Sequence, residues 1–285
     1  MKHLRFLSLL LAALMAVLPL SALAESPASA EDMPEHNVTA HRIEEEEPVA
    51  LEEDVVIEPI IPEDLEKTII GADNRITIDN PNQYPYSAIA YLVLEFECGH
   101  GGEGSGFMVG RYGMMTAGHC VVCGVDGAQL SSMVAYFGYR NSKNYAYRYA
   151  GNFDFWWDGR YDYTSNDSLN WDYAFFKLDQ PVGDTTGTFG VVAKSDRNLD
   201  MNLVQVAGYR DGLLKTDFDY AHIDGEYVIS YQNDSVPGNS GCPVFDSNNN
   251  VVAIHVAGSD SLQLNFGRRI TSSLCDAMRK YGVID

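Results

Sequence analysis

Short apolar or alternating runs recur along residues 68–285, and clusters of Gly, Asn and Asp separate them. Such a pattern predicts β-strands joined by turns. The clearest strand-like runs lie at residues 87–96, 106–109, 174–178, 203–206 and 251–256. Helical spacing occurs at residues 272–281, where the apolar positions are Leu274, Ala277, Met278 and Tyr281. The pattern therefore predicts an all-β body, a barrel or a sandwich, that ends in one α-helix.

The N-terminus has the three parts of a secretory signal. Lys2 and Arg5 precede an apolar stretch at residues 6–20, and Ala22 and Ala24 stand where a signal peptidase reads small residues. A membrane anchor is the alternative, but this stretch is short for a bilayer span. We therefore predict a signal peptide at residues 1–24 and a secreted, extracellular protein without a membrane anchor.

Residues 25–67 differ sharply in composition from the rest of the chain. They hold 15 acidic residues against Arg42 and Lys67, together with five prolines. Repulsion and low hydrophobicity oppose a core, so we predict a disordered segment, either a solvated linker or a pro-segment. The whole chain has a net charge of −21, of which this segment carries −13 and the predicted signal peptide +2. The body at residues 68–285 therefore has a net charge of −10. That acidity argues against nucleic acid as a partner.

Three separate segments supply the parts of a nucleophilic site. Ser240 lies in the run Pro-Gly-Asn-Ser-Gly-Cys-Pro at residues 237–243, His119 in Thr-Ala-Gly-His-Cys, and Asp172 in Asn-Trp-Asp-Tyr. A serine hydroxyl needs a base to take its proton and a carboxylate to orient that base. Backbone N–H groups of Gly238 and Ser240 are the candidate oxyanion hole, since glycine permits the unusual backbone that it requires.

The order His, Asp, Ser resembles that of chymotrypsin-fold serine proteases, and more narrowly of bacterial glutamyl endopeptidases of the staphylococcal V8 and bacillus type. The resemblance also covers residues 68–75, 104–110, 206–209 and 269–271. It implies two six-stranded antiparallel β-barrels, at residues 68–185 and 186–285, with the active site between them. It further implies a monomeric serine endopeptidase that acts on protein or peptide substrates and requires no cofactor.

The same resemblance implies activation by cleavage after Lys67, which would leave Thr68 as the new N-terminus. The full chain would then be a zymogen, and an activating protease would be its partner. In some family members the freed α-amino group helps to bind the acidic side chain of the substrate. Thr68 is accordingly a candidate substrate-binding residue.

Three further positions concern substrate choice. Ser235 and His255 match a hydroxyl and a histidine of the family's specificity pocket, and both side chains can bind a carboxylate. Glu, then Asp, is the expected residue before the scissile bond. Asp234 matches the position at which trypsin-like enzymes bind Lys or Arg, so that specificity stays open. A buried structural role for His255 also stays open, as does an inactive, protease-like binding module.

Five cysteines remain, and disulfides are the default in an exported protein. The resemblance implies a Cys98–Cys120 bond, with Cys98–Cys123 as the rival. Cys242 and Cys275 are a further candidate pair that would pin the terminal helix, and the odd count leaves at least one thiol unpaired or intermolecular. The Cys-x-x-Cys at residues 120–123 lacks a second pair at zinc-site spacing, so we predict no metal site from the cysteines. Structural calcium among the acidic loops stays open.

Overall fold

The computed structural model describes residues 69–141 and 144–285. The predicted signal peptide, the predicted pro-segment and Thr68 lie outside the described residues.

Strands dominate the described chain and occur as short segments in both of its halves. In chain order they are β1 (Ile76–Thr77), β2 (Ile89–Phe96), β3 (Gly101–Met108), β4 (Gly113–Thr116), β5 (Leu130–Phe137), β6 (Tyr147–Tyr149), β7 (Phe153–Trp157), β8 (Ala174–Leu178), β9 (Gly190–Val191), β10 (Leu203–Arg210), β11 (Leu213–Tyr220), β12 (His222–Ile223), β13 (Val228–Tyr231), β14 (Pro243–Phe245), β15 (Asn250–Ser259) and β16 (Leu264–Arg269). The helices are α1 (Gly183–Thr186), α2 (Asp196–Leu199) and α3 (Ser272–Lys280), with 3-10 turns at Tyr86–Ala88, Gly118–Cys120 and Asn166–Trp171.

The first sheet has the order β6-β5-β2-β3-β4-β8-β7 and is antiparallel throughout. Alternation along β2 shows why this segment forms a strand. Leu92, Leu94 and Phe96 are buried, whereas Tyr91, Val93 and Glu95 between them are less so. Side chains of a strand point to opposite faces in turn, so one face of β2 enters the core of this half-barrel.

The second sheet has the order β1-β11-β10-β14-β15-β16-β13-β12, and β9 adds one short parallel pair to β15. β15 lies between β14 and β16, which explains its near-continuous burial. β1 belongs to this sheet because Thr77 pairs with Lys215 on β11. The start of the described chain thus contacts the C-terminal half.

The fold class predicted from the sequence is confirmed: two curled antiparallel sheets and a C-terminal helix. The sheets contain seven and nine strands over the described residues, against six predicted for each, because two- and three-residue strands extend their edges. The chain passes from the first sheet to the second between β8 and β9, and the predicted division at 185/186 lies in this passage.

The terminal helix α3 also agrees with its predicted span. Thr271 caps it, since its side chain accepts a hydrogen bond from the Leu274 N–H at 3.3 Å. Just after the helix, Tyr281 stacks on Trp156 of β7 at 4.7 Å between ring centroids. The C-terminus therefore packs against the first sheet. Among the described residues, no helix is long and apolar enough to cross a membrane.

Candidate active site

His119 and Asp172 form a buried, two-point contact. His119 Nδ1 lies 2.7 Å from Asp172 Oδ2, and the His119 backbone N–H donates to Asp172 Oδ1 at 2.9 Å. The two side chains are only 6% and 5% exposed. A carboxylate only accepts, so Nδ1 carries the proton and Nε2 is left as the basic nitrogen. Gly118 permits this approach, since a Cβ there would lie 3.1 Å from Asp172 Oδ1.

The neighbours of Asp172 are held by a cluster that the sequence analysis did not find. Tyr173 donates to Asp158 at 2.9 Å, Asp158 pairs with Arg160 at 2.7 Å, and the Arg160 guanidinium stacks 3.4 Å from the centre of the Trp171 ring. Burial opposes the charge on Asp158, but the hydrogen bonds of Arg160 outweigh it and hold the pKa of that carboxyl below its usual range. Both neighbours of Asp172 are thereby fixed in place.

Ser240 is fully buried in the turn that precedes β14. Its carbonyl oxygen accepts a hydrogen bond from the Ser105 N–H at 2.7 Å. Cys120 Sγ approaches the same oxygen to 4.0 Å, and Cys120 follows His119 directly. The structure therefore places the turn that carries His119, in the first half of the described chain, beside Ser240 in the second half.

Two glycines with left-handed backbone lie on either side of Ser240. Gly238 has φ +90° and Gly241 has φ +78°. A Cβ at Gly241 would stand 2.1 Å from Thr116 Oγ1, so a larger residue cannot fit without movement of the backbone. The glycine requirement expected at residue 238 agrees with its observed backbone.

Side chains within and beyond the turn hold its shape. Asn239 accepts from the Val236 N–H and donates to the Tyr209 carbonyl, both at 3.0 Å. Ser105 Oγ donates to the Gly238 carbonyl at 3.1 Å and accepts from the Tyr209 N–H at 2.9 Å. Catalytic turns depend on such preorganisation. Sequence reasoning missed these positioning roles, because the contacts with Tyr209 and Ser105 join segments that are distant in sequence.

His255 and Ser235 are both fully buried, on or beside the neighbouring strands β15, β16 and β13. His255 Nδ1 lies 2.7 Å from the Tyr231 hydroxyl, and burial raises the pKa of that phenol well above its usual value. Ser235 Oγ donates to Asn265 Oδ1 at 2.8 Å. Gly267 lies opposite His255 on β16, where a Cβ would be 3.3 Å from the Tyr231 hydroxyl.

Asp234 directs both carboxylate oxygens at the backbone of the N-terminal segment. Oδ1 accepts from the Ile70 N–H and Oδ2 from the Asn74 N–H, each at 2.7 Å. The Asp234 N–H in turn donates to Asp217 at 2.7 Å. Asp234 is 3% exposed, and its side chain accepts from these internal donors.

The cysteines differ from the expected pairing. All five lie in the described part of the chain, and no disulfide joins any two of them there. Cys120 packs against Gly104 and the Ser240 carbonyl, whereas Cys98 groups with His100, Cys123 and Asp126. The expected Cys98–Cys120 bond is not formed, because the turn carrying Cys98 lies against Cys123. The four-residue group was missed, since its two halves are far apart in sequence and match no paired zinc motif.

Known proteins resemble this chain in both sequence and fold. Residues 104–254 match the trypsin-like peptidase domain, which is more than half of the chain. The chain belongs to the trypsin-like peptidase family. It is therefore a serine endopeptidase by type, with hydrolysis of peptide bonds as its reaction.

Individual relatives are similar over most of this peptidase. A glutamyl endopeptidase of Bacillus licheniformis is 28% identical over 231 residues, covering 75% of this chain and 69% of the relative. A Bacillus subtilis protein named extracellular metalloprotease is 29% identical over 217 residues, covering 73% and 67%. That name describes the B. subtilis protein alone. A solved structure of a glutamyl endopeptidase shares the fold with a TM-score of 0.63 at 22% identity, covering 76% of this chain and 99% of that one.

Proposed function

We propose that this peptidase is a secreted endopeptidase that cleaves after glutamate, and less well after aspartate, once a cut near Lys67–Thr68 has removed its pro-segment. Ser240 is the nucleophile, His119 the base and Asp172 the orienting carboxylate. The N–H groups of Gly238 and Ser240 bind the oxyanion. The observation that carries the proposed specificity is the bonding of Asp234 to backbone N–H groups, while His255 and Ser235 are buried on or beside neighbouring strands.

The proposed reaction proceeds through an acyl-enzyme. Ser240 Oγ attacks the scissile carbonyl as its proton passes to His119 Nε2, and Asp172 stabilises the imidazolium that forms. The ring then gives this proton to the leaving amine. Water repeats the sequence on the ester and releases the acid. The two-point bond between His119 and Asp172 supports these roles, because it holds both the tautomer and the orientation of the ring.

Acid recognition rests on His255 and Ser235. The Tyr231 hydroxyl can donate to the neutral ring of His255, which leaves the Nε2–H as a donor for a substrate carboxylate, or it can accept from the charged ring. A donor facing a carboxylate makes a charge-assisted hydrogen bond. The Ser235 hydroxyl donates to Asn265 Oδ1 in this structure and would exchange that acceptor for the substrate carboxylate.

The position of Asp234 argues against cleavage after Lys or Arg. A carboxylate that serves such substrates must be available to a cationic side chain, and both oxygens of Asp234 are occupied by Ile70 and Asn74. The two N–H dipoles on this carboxylate also offset part of the repulsion that it would exert on an acidic substrate.

These bonds also support a role for the mature N-terminus. Ile70 is held by Asp234, which adjoins Ser235 in sequence, and two residues span at most about 7 Å of chain. A new amine at Thr68 would therefore start close to the proposed acid-binding residues. Its positive charge would favour glutamate in the same place.

Specificity is tested by hydrolysis of matched peptides that carry Glu, Asp, Lys or Phe before the scissile bond, with protein processed to Thr68. We expect kcat/KM in the order Glu, Asp, then the others. The Ser240→Ala variant is the control for contaminating proteases. Cleavage confined to Lys would refute the glutamyl assignment, and no cleavage of any peptide would favour a binding module.

Activation is tested by comparing full-length and processed protein on the Glu peptide. We expect the full chain to be nearly inert until it is cut near residue 67. Asp234→Asn should lower the activity of processed protein more than Asp219→Asn, which also removes a carboxylate that accepts a backbone N–H bond. Full activity of the uncut chain would disprove the pro-segment and the role of the Thr68 amine.

A further inference from the structure

Four metal-binding side chains meet at one end of the first sheet, outside the proposed active site. The ligand atoms of Cys98, His100, Cys123 and Asp126 all lie within 4.8 Å of one another. His100 Nδ1 is 3.2 Å from Cys98 Sγ and 3.5 Å from Cys123 Sγ. In a tetrahedral zinc site, Zn–S bonds of about 2.3 Å and Zn–N bonds of about 2.0–2.1 Å place the ligand atoms about 3.5–3.8 Å from one another.

Backbone hydrogen bonds hold the two turns that carry these side chains. In the first turn, the Phe96 N–H donates to the His100 carbonyl at 2.9 Å. In the second, the Cys123 N–H donates to the Ala128 carbonyl at 2.7 Å. The Glu97 N–H then joins the turns through the Gln129 carbonyl at 2.9 Å. The group is thus built by main-chain geometry and does not depend on flexible side chains alone.

We propose that Cys98, His100, Cys123 and Asp126 bind one structural Zn²⁺ ion. Two thiolates, one imidazole and one carboxylate complete a tetrahedral shell, which is the closed arrangement of structural zinc sites. Binding releases the two thiol protons to solvent and leaves the site with a net charge of −1. His100 stays neutral, with Nδ1 on the metal and its proton on Nε2.

The surroundings of Cys123 favour a thiolate ligand. The backbone N–H groups of Val125 and Asp126 form hydrogen bonds to its sulfur. A metal ion supplies the positive charge that offsets burial, and these N–H groups then stabilise the bound sulfur. Thiolate ligands select zinc over calcium, which prefers oxygen.

A Cys98–Cys123 disulfide is the competing product of the same two sulfurs. It would use neither His100 nor Asp126, yet His100 Nδ1 lies near both sulfurs. A disulfide also requires an S–S separation of about 2 Å, with no third atom between the sulfurs. The convergence of four ligand types therefore favours the metal.

The position of the site gives the ion a structural role near the catalytic machinery. Cys123 is four residues beyond His119, and the loop between them is joined to β5 by the Leu130 N–H bond to the Val121 carbonyl at 2.9 Å. Zinc would fasten this loop to the β2–β3 turn. It contributes no group to peptide hydrolysis.

The test is the zinc content of the whole chain, purified without chelators in the Ser240→Ala background to prevent self-digestion. Plasma mass spectrometry should find one zinc per chain, and five thiols should react after unfolding with a chelator. His100→Gln should lower zinc affinity more than about 100-fold, since even outer-shell changes cost 10–100-fold. The matched control His222→Gln, at an exposed histidine, should keep the ion.

Cobalt substitution of the Ser240→Ala protein provides a readout that does not depend on whether His100→Gln folds. Tetrahedral Co²⁺ with thiolate ligands should show intense visible bands and sulfur-to-metal charge transfer. Three reactive thiols without zinc would identify the disulfide and overturn the proposal. Equal zinc in the His100→Gln and His222→Gln proteins would show adventitious binding, and absent cobalt bands would also refute the site.

Discussion

Two buried histidines, one in each half of the molecule, use the same ring nitrogen, Nδ1, for a hydrogen bond, but their partners differ. His119 Nδ1 lies 2.7 Å from the Asp172 carboxylate, and His255 Nδ1 lies 2.7 Å from the Tyr231 hydroxyl. Both rings are almost inaccessible to solvent. A carboxylate stabilises a positive ring, whereas a phenol orients the ring without offering a charge.

The difference assigns different chemistry to two similar side chains. His119 can take a proton from Ser240, because Asp172 compensates the imidazolium that results. His255 is suited to donate a hydrogen bond to a substrate, since its partner does not pull a proton onto the ring. In the proposed mechanism, the partner of each histidine, rather than its burial, suits the ring to proton transfer or to recognition.

The largest expected effect tests the first half of this contrast. Asp172→Asn should lower kcat on the Glu peptide by about 10⁴-fold, because an amide no longer holds the productive tautomer. The steady-state rate of processed protein measures it. Asp184→Asn, at an exposed ion pair with Arg111, is the matched control and should be unchanged. A loss below tenfold would show that His119 does not depend on this carboxylate.

A smaller, selective effect is expected at the second histidine. His255→Gln should reduce kcat/KM for the Glu peptide by about 10–150-fold, the equivalent of one hydrogen bond to a charged group. Cleavage of the Phe peptide should change little, as should both activities of the His222→Gln control. Equal losses on Glu and Phe peptides would mean that His255 is a structural residue of the core.

Removal of the Tyr231 phenol oxygen should lower activity less than replacement of the Asp172 carboxylate by an amide. Tyr231→Phe deletes a neutral hydrogen bond worth about 0.5–1.5 kcal/mol, which corresponds to roughly 2–13-fold in kcat/KM for the Glu peptide. The measurement is the same peptide pair used for His255→Gln. If Tyr231→Phe lowered kcat as much as Asp172→Asn, the proposed contrast between the two partners would be wrong.

The smallest effect concerns alkaline stability. Burial raises the pKa of Tyr231 well above 10, so above pH 10 the native chain keeps a proton that the unfolded chain loses. The contribution of this proton to the free energy of unfolding is complete below pH 10. It is lost as the pH rises, by about 1.4 kcal/mol per pH unit. Urea unfolding should show that the free energy of unfolding of Tyr231→Phe falls less steeply with pH than that of the parent protein. The control Tyr220→Phe, at an exposed tyrosine, should match the parent, and identical slopes in all three proteins would exclude the shift.

Local requirements of the chain were readable from its sequence. Apolar or alternating runs indicated β2, β8, β10, β15 and the end of β3, whereas the eight-residue strands β5 and β11 were missed. The terminal helix agrees within one residue at its C-terminal end. The glycine before Ser240 was expected to adopt unusual backbone and has φ +90°. Such features depend on residues that are neighbours in sequence, so a local pattern is sufficient to indicate them.

The sequence by itself determined the fold class, the peptidase type and the three residues that form the candidate triad. Only the tertiary structure decided what Asp234 and Cys98 contact. Asp234 meets Ile70, 164 positions away, and Cys98 lies with Cys123 instead of Cys120. The physical reason is that these contacts form where the curled sheets bring together segments that are distant in sequence. Residue type limits what a side chain can bind, but the packing of distant segments selects its partner.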